Sequence, residues 1–212
     1  MPAKLGSDTL ALSRFVTLKQ RERVCDLGCG GGELELELLE RQPDLAITAV
    51  DILPSCAEET RRNTAGLNVT VLQSDWNELS VDSPFDAVVC NPPYFDLGSG
   101  AVSPDPERAA ARSMERGGLE RLCAAMARLT RFGGRAAVVY RAEKLTLLLG
   151  LLSDCKLEPK RLRFAHHDVS KPASFALVEA RRGGNPGLEV LPPLILYHSE
   201  RTTCHSERSE ES

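Results

Sequence analysis

The feature that most constrains the fold is the segment at residues 24–32, which reads Val-Cys-Asp-Leu-Gly-Cys-Gly-Gly-Gly. It begins as a short apolar run, and a leucine-rich stretch with helical spacing follows from Glu33 to Glu40. This order predicts a strand, a tight loop and a helix, a unit typical of nucleotide-binding α/β sheets. Because glycine has no Cβ, the backbone of such a loop can approach a ligand closely.

The spacing of the glycines discriminates between nucleotide cofactors. A dinucleotide-binding loop would need its third glycine where Glu33 stands, and a carboxylate there would face the pyrophosphate. The pattern of Asp26, Gly28, Gly30 and Gly32 fits instead a loop that holds S-adenosylmethionine, which has no phosphate and carries an ammonium group. The mismatch favours the methyl donor as the cofactor.

Two further apolar runs lead to acidic residues suited to the same cofactor. Residues 46–50 precede Asp51, whose carboxylate can accept both ribose hydroxyls of an adenosine, and Ile52 is assigned to the same site. The alternative for Asp51 is an N-cap or turn aspartate. Residues 68–73 lead to Asp75, which could accept the adenine amino group, and to Trp76, which could cover the ring. An isolated Asp-Trp pair is more often structural.

The tetrapeptide Asn91-Pro92-Pro93-Tyr94 indicates a site for a planar amino group. The run at residues 84–90 reads as a buried strand that delivers Asn91 to the carboxyl edge of the sheet, where ligands bind. The Asn91 side-chain oxygen and the Pro92 carbonyl offer two acceptors, and the tandem prolines stiffen the turn and remove backbone donors. Tyr94 adds a face on which a base could stack, worth about 1–3 kcal/mol. The alternative is an ordinary turn after a strand.

Together these residues carry a resemblance. The loop at residues 26–32, the acids Asp51 and Asp75, and residues 91–94 look like the ordered motifs of class I S-adenosylmethionine-dependent methyltransferases that act on exocyclic amino groups. More narrowly, four segments are similar to bacterial tRNA1(Val) (adenine(37)-N6)-methyltransferases: residues 6–12, 111–112, 171–174 and 191–194. This likeness covers about residues 4 to 197. Those relatives usually carry an aromatic and basic segment before the position of Gly6, whereas residues 1–5 precede it here.

The resemblance implies transfer of a methyl group to N6 of an adenine in RNA. It assigns catalytic roles to Asn91, Pro92 and Tyr94, with Pro93 and Tyr94 contacting the substrate base. Asn91 is also assigned to the cofactor-binding residues. The proton can leave the amino group after the methyl group arrives, so positioning and electrostatics are expected to matter more than a strong base. No covalent nucleophile is required, and none of the cysteines is assigned a catalytic role.

The formal net charge of −4 conceals a strong asymmetry along the chain. Residues 1–107 contain 8 Lys/Arg and 18 Asp/Glu, residues 108–182 contain 16 and 7, and residues 183–212 contain 2 and 5. A basic segment directly after the Asn-Pro-Pro-Tyr turn is where RNA phosphates would bind. Arg108, Arg112 and Arg116 are assigned to the substrate, and the further candidates are Arg128, Arg131, Arg135 and Arg141. The alternative for each is a solvated helix face.

The pattern of the whole chain predicts a single α/β domain over residues 1–197, with a twisted, mainly parallel sheet and helices on both faces. Helices are predicted over residues 114–129 and 143–154, and a strand over 135–140 after a glycine stop at 131–134. An antiparallel hairpin at 162–164 and 175–179 closes the sheet. Residues 181–187 are predicted to form a flexible connector, and 198–212 a disordered polar tail.

Composition, with 42% hydrophobic and 26% charged residues, agrees with a globular protein. No apolar stretch is long enough to cross a bilayer, and residues 1–4 do not open a secretory signal. The seven cysteines form no Cys-x-x-Cys pair and are odd in number, which indicates reduced thiols in the cytoplasm. His166 and His167 lack a third ligand at suitable spacing, so a metal site there is disfavoured.

The function expected from the sequence is N6-methylation of an adenine in RNA, in a tRNA anticodon loop, with S-adenosylmethionine as cofactor. A release-factor glutamine methyltransferase is one alternative, because a glutamine amide is also a planar amino group. The short segment before Gly6 and the basic segment after residue 107 argue against it. A non-catalytic nucleotide-binding or RNA-chaperone module is the other alternative, and the presence of all the expected polar groups argues for activity.

Overall fold

The computed structural model describes residues 6–92 and 117–196 of the chain. Strands and helices alternate through its first part, as the apolar periodicity predicted. The helices are α1 (Ser7–Phe15), α2 (Glu33–Arg41), α3 (Pro54–Asn63), α4 (Gly118–Leu129) and α5 (Leu145–Asp154). The strands are β1 (Arg23–Leu27), β2 (Ala46–Asp51), β3 (Val69–Gln73), β4 (Phe85–Cys90), β5 (Thr130–Arg141), β6 (Leu157–His166), β7 (Ala173–Arg182), β8 (Glu189–Val190) and β9 (Leu194–Ile195).

The strands of the described residues form one sheet in the order β3-β2-β1-β4-β5-β7-β6, and both β8 and β9 pair with β6. β1 to β5 are mutually parallel, whereas β7 is antiparallel to both β5 and β6. The prediction of a mainly parallel sheet closed by an antiparallel hairpin is therefore confirmed, although the hairpin strands are longer than expected. The strand order reverses beside β1, which has β2 on one side and β4 on the other.

Helices cover both faces of the sheet. In β4, Val88 belongs to one apolar cluster while Ala87 and Val89 belong to the other, because successive side chains of a strand point to opposite faces. α4 and α5 pack on the Val88 face through residues such as Met126 and Leu148, and α1 and α2 pack on the opposite face. None of the helices in the described residues is long and apolar enough to cross a membrane.

The glycine stop predicted at residues 131–134 is wrong. These residues belong to β5, where they form a bulge: Phe85 pairs with Thr130, but Ala87 already pairs with Arg135. A Cβ on Gly134 would lie 2.9 Å from the carbonyl oxygen of Asp86, which explains why glycine occupies the bulge. Sequence patterns place glycines at both turns and bulges, and only strand pairing distinguishes the two.

Two other boundaries differ from expectation. The helix predicted from residue 143 starts as a 3-10 turn at Ala142–Lys144, and α5 follows it. The connector predicted from Arg181 begins later, because Arg181 and Arg182 still pair with β6 as the end of β7. The predicted helix start at residues 114–116 and the tail at 198–212 lie outside the described residues.

Candidate active site

Three loops that follow parallel strands meet at one edge of the sheet. β1 lies between β2 and β4, and the register pairs Leu27 with Val50, so the carboxyl ends of β1 and β2 coincide. The glycine loop follows β1, Asp51 is the last residue of β2, and Asn91 follows β4. They therefore lie side by side where the strand order reverses, which is the position at which open α/β sheets bind ligands.

The glycine loop is held against β2 by backbone hydrogen bonds. The N–H groups of Gly28 and Cys29 both donate to the Val50 carbonyl, at 2.8 and 3.1 Å. Gly32 has a φ of 89°, in the left-handed region, and a Cβ there would lie 3.3 Å from the Thr60 backbone. Only glycine meets both requirements without strain, so this position is fixed by backbone geometry as well as by ligand access.

Two side chains of α3 bind two carbonyls of the glycine loop. The Thr60 hydroxyl donates to the Gly30 carbonyl at 2.8 Å, and the Asn63 amide donates to the Gly31 carbonyl at 2.8 Å. Thr60 and Asn63 are three residues apart, so they lie on the same face of the helix. Sequence reasoning missed both, and the available signal was this pair of polar side chains at helical spacing. Their bonds preorganise the loop.

Asp51 ties the end of β2 to the glycine loop. Its side chain is buried; Oδ2 accepts a hydrogen bond from the Gly30 N–H at 3.0 Å, and Oδ1 accepts one from the Leu53 N–H at 2.9 Å. The hydrogen bond from Leu53 closes a turn, which agrees with the alternative interpretation of Asp51 as a turn aspartate. Each carboxylate oxygen keeps a further lone pair, so the predicted contact with ribose hydroxyls stays compatible with this geometry. Ile52 beside it is 48% exposed, an apolar side chain open at the same edge.

Asp75 makes local contacts within a turn, whereas Trp76 contacts the glycine loop. Asp75 Oδ1 accepts hydrogen bonds from the Asn77 backbone and side-chain amides, at 2.9 and 2.8 Å, so it closes a turn. The Trp76 ring lies against the glycine loop, since a Cβ on Gly28 would be 3.5 Å from its Cζ3 atom. The indole therefore borders the glycine loop. One of the two Asp75 carboxylate oxygens accepts the hydrogen bonds of the turn.

Four of the arginines predicted to bind phosphate lie in the described residues, and these four contact protein groups. Arg128 donates to the carbonyls of Leu79 and Trp76, at 2.5 and 2.6 Å, and so stabilises the loop that carries the indole. Arg131, Arg135 and Arg141 form ion pairs with Asp86, Glu22 and Glu143, respectively. These contacts favour structural roles for Arg128, Arg131 and Arg135. Arg108, Arg112 and Arg116 lie outside the described residues.

Asn91 presents a buried acceptor without a partner. Its Nδ2 atom donates to the Thr9 hydroxyl at 2.9 Å, whereas its Oδ1 atom is buried and makes no hydrogen bond to the described residues. The bond to Thr9 thus fixes the amide with its oxygen free for another donor. Pro92 is buried beside it. Pro93 and Tyr94, which were assigned to catalysis and base stacking, lie outside the described residues.

Two buried carboxyl groups flank the glycine loop along the chain. Asp26 is 1% exposed and Glu35, on α2, is 0% exposed. Burial raises the pKa of Asp26 to about 7, and the neighbouring Glu35 carboxyl group opposes that rise. Burial, followed by the charge of Asp26, raises the pKa of Glu35 well above its usual range. Sequence reasoning missed Glu35, although its neighbours Leu34 and Leu38 place it on the apolar face of the helix.

Other candidate ligands make ordinary contacts. His166 Nδ1 is 2.9 Å from the Lys171 carbonyl oxygen, a contact that closes the loop between β6 and β7. The six cysteines in the described part of the chain form no disulfide, and Cys25, Cys29, Cys90 and Cys123 are buried. Burial raises the pKa of Cys25 and Cys29, so these thiols stay protonated and weakly nucleophilic.

The sheet order, the glycine loop after β1 and the acid after β2 define a class I S-adenosylmethionine-dependent methyltransferase, an enzyme whose cofactor is S-adenosylmethionine. A predicted O-methyltransferase from Agrobacterium tumefaciens shares the fold with a TM-score of 0.70 at 20% identity, over 89% of this chain and 86% of that one. The chain belongs to the methyltransferase small domain family, whose model matches residues 4–130.

Curated relatives of this chain include two kinds of methyltransferase. A tRNA1(Val) (adenine(37)-N6)-methyltransferase from Aeromonas hydrophila is 32% identical over 189 residues, which span 86% of this chain and 78% of that protein. A release factor glutamine methyltransferase from Escherichia coli is 40% identical over 77 residues, which span 35% of this chain and 28% of that protein. The similarity to the first therefore extends over most of both proteins, and the similarity to the second is local.

Proposed function

We propose that this enzyme methylates N6 of an adenine in RNA, and that the adenine lies in the anticodon loop of a tRNA. The observation that carries the proposal is the Asn91 amide at the end of β4, with its buried Oδ1 unpartnered and its Nδ2 held by Thr9. An exocyclic amino group is the donor that such an acceptor requires. The extended similarity to a tRNA adenine-N6 methyltransferase supports adenine as the carrier of that amino group.

The residues at the strand ends fit the cofactor. Asp26 offers a buried, unpartnered Oδ1 to the ammonium group, and Asp51 offers its remaining lone pairs to the ribose hydroxyls. Trp76, against Gly28, and the exposed Ile52 supply apolar surface for the adenine ring. Asp75 would complete the site through its second carboxylate oxygen, because the first closes the turn to Asn77.

Catalysis then follows from the acceptors at the end of β4. The cofactor supplies an electrophilic methyl group on a sulfonium. The lone pair of an adenine amino nitrogen is delocalised into the ring, so the nitrogen is a poor nucleophile. Asn91 Oδ1 and the Pro92 carbonyl would each accept one N–H, which draws the nitrogen toward a tetrahedral form with its lone pair available for in-line attack. The nitrogen would gain the methyl group as the bond from sulfur to methyl breaks and leaves a thioether, and it would then lose one proton to solvent.

Charge in the carboxyl-terminal half supports an RNA substrate. Between residues 117 and 182 the chain has thirteen Lys/Arg and six Asp/Glu. Because several of these arginines are occupied in ion pairs, Arg108, Arg112 and Arg116 remain the proposed phosphate contacts. A tRNA substrate would also place the enzyme in the cytoplasm.

Methyl transfer from labelled S-adenosylmethionine to unmodified tRNA, followed by nucleoside analysis, tests the proposal. The expected product is N6-methyladenosine in tRNA, formed by the natural chain and lost in Asn91→Ala. Asn185→Ala, an exposed asparagine in the turn after β7, is the matched control and should keep full activity. Label in a different nucleoside would overturn the assignment to adenine N6.

The glutamine of a release factor is the second candidate substrate, because its amide would fit the same acceptors and because the local similarity to a release factor glutamine methyltransferase includes 77 residues. Release factor is therefore assayed in parallel. If it accepts the methyl group and every tRNA does not, the glutamine assignment replaces the RNA assignment. If neither accepts label, both substrate assignments fail.

A further inference from the structure

α2 carries a carboxyl group into the protein core. Glu35 is 0% exposed, its helix neighbours Leu34, Leu38 and Leu39 are also buried, and neither of its oxygens has a hydrogen-bond partner among the described residues. An isolated carboxylate in such an environment is strongly disfavoured, so the group must either keep a proton or face a cation.

The group that Glu35 faces is Asp26, at the end of β1. Asp26 Oδ1 is also buried and unpartnered. Two carboxylates only accept hydrogen bonds, so the contact becomes a bond when one proton lies between them. In that arrangement Glu35 is the donor, because both of its oxygens are buried without a partner, whereas for Asp26 this holds for Oδ1 only, so ionisation costs less at Asp26.

The groups around this pair add negative charge or none. Asp51 acts on Asp26 from β2, and Glu33 acts on Glu35 from α2. The nearby thiols of Cys25, Cys29 and Cys90 on β1, the glycine loop and β4 have raised pKa values and stay neutral. Among the described residues, the groups that act most strongly on the pair include no lysine, arginine or histidine, so these groups leave its negative charge uncompensated.

We propose that Glu35 is a positioning residue that stays protonated at neutral pH and donates a hydrogen bond to Asp26. Asp26 alone then presents a negative charge to the ammonium group of the cofactor. This inference rests on the proposed cofactor site. When the ammonium arrives at a protonated Asp26, one proton leaves Asp26 for solvent and none leaves Glu35. Cofactor binding is therefore linked to the ionisation of a single carboxyl group.

Calorimetric titration with S-adenosylhomocysteine between pH 5.5 and 8.5, in buffers of different ionisation enthalpy, tests the linkage. The pKa of Asp26 lies at about 7. The affinity for S-adenosylhomocysteine should therefore be constant above about pH 8 and fall about tenfold per pH unit well below pH 7. In that lower range, binding of each ligand molecule should release close to one proton. 5′-Methylthioadenosine lacks the ammonium group and should bind without this dependence. Equal pH profiles for the two ligands would overturn the proposal.

Two substitutions separate a donor from a space-filling side chain. Glu35→Gln keeps an N–H donor at the same place and should keep the natural pH profile. Glu35→Leu removes the donor, so the pKa of Asp26 should rise and the loss of affinity should move up by about one pH unit or more. The matched pair Glu40→Gln and Glu40→Leu alters an exposed residue of the same helix and should change neither profile.

Contrary results are distinct. If Glu35→Leu folds and its affinity for S-adenosylhomocysteine varies with pH as in the natural chain, Glu35 has only a structural role. If Glu35→Gln binds weakly and independently of pH, Glu35 is the ionised member of the pair. If Glu35→Leu does not fold, Asp26→Asn decides: the proposal requires weaker binding without pH dependence. The titrations contain no RNA, so an incorrect RNA assignment would leave their outcome unchanged, whereas failure of S-adenosylhomocysteine to bind would overturn the cofactor site itself.

Discussion

Thr9 and Asn91, separated by 82 residues in the chain, are joined by a hydrogen bond of 2.9 Å between the Asn91 Nδ2 atom and the Thr9 hydroxyl. Thr9 lies on α1 and Asn91 follows β4, so the bond spans from a helix to the carboxyl edge of the sheet. Because the amide nitrogen is engaged, the amide cannot rotate freely, and its oxygen keeps one direction. The first helix thereby contributes to the proposed acceptor for the substrate.

Replacing Thr9 tests that contribution. Thr9→Val keeps the shape but removes the hydroxyl, so Asn91 should lose its fixed orientation and the single-turnover methylation rate should fall about tenfold or more, with cofactor affinity unchanged. Thr9→Ser should restore most of the rate, since the hydroxyl returns. A valine variant as fast as the natural chain would show that β4 alone positions the amide.

Removing the acceptor itself should have a larger effect. Asn91→Ala is expected to lower the single-turnover rate about a hundredfold or more while leaving the affinity for S-adenosylhomocysteine nearly intact. Rapid-quench measurement of labelled product, together with calorimetry, separates the two quantities. Retention of most of the rate would remove Asn91 from the proposed catalytic residues.

Asp51 should matter for cofactor binding more than for chemistry. Asp51→Ala leaves the N–H groups of Gly30 and Leu53 without their acceptors and removes the proposed ribose contact, so binding should weaken by about 1–3 kcal/mol. Asp44→Ala, an exposed aspartate before β2, is the control. Calorimetry that finds equal affinities for both variants would place the ribose elsewhere.

The buried carboxyl pair predicts an unusual pH dependence of stability. The pKa of Asp26 rises to about 7 on folding. Its contribution to the free energy of unfolding is therefore fully present below its unfolded pKa of about 4 and is lost as the pH rises through 7. The ligand-free protein should unfold at lower urea concentration at pH 8 than at pH 5.5, and Asp26→Asn should reduce this difference. Comparing the natural chain with Asp26→Asn cancels the effect of the titratable groups that both proteins share. Equal changes in stability with pH in the two proteins would contradict the pKa shift.

The basic segment after residue 107 predicts salt-sensitive binding of tRNA. Reversing the charges of Arg108, Arg112 and Arg116 together should weaken tRNA binding and reduce its salt dependence without changing cofactor affinity. Reversal of Arg14, Arg61 and Arg62, exposed in the amino-terminal half, provides a control of equal charge. An equal loss in both variants, or binding insensitive to salt, would exclude a specific phosphate contact at the first three residues.

The sequence by itself determined the class of fold and the order of the site residues along it. Apolar runs and the glycine loop are local signals, and the residues that follow parallel strands necessarily meet at one edge of the sheet. For this reason the order of motifs along the chain is enough to place Asp26, Asp51 and Asn91 together at that edge. The bulge at Gly134 escaped prediction, since a local pattern does not specify register between strands.

Only the tertiary structure decided which polar groups find partners. Arg128 could have bound phosphate, yet packing of α4 brings it to the Trp76 and Leu79 carbonyls. Glu35 could have been solvated, yet α2 turns it toward Asp26 in the core. Hydrogen bonds and pKa values depend on distances between residues far apart in sequence, and those distances are set by how helices pack on the sheet.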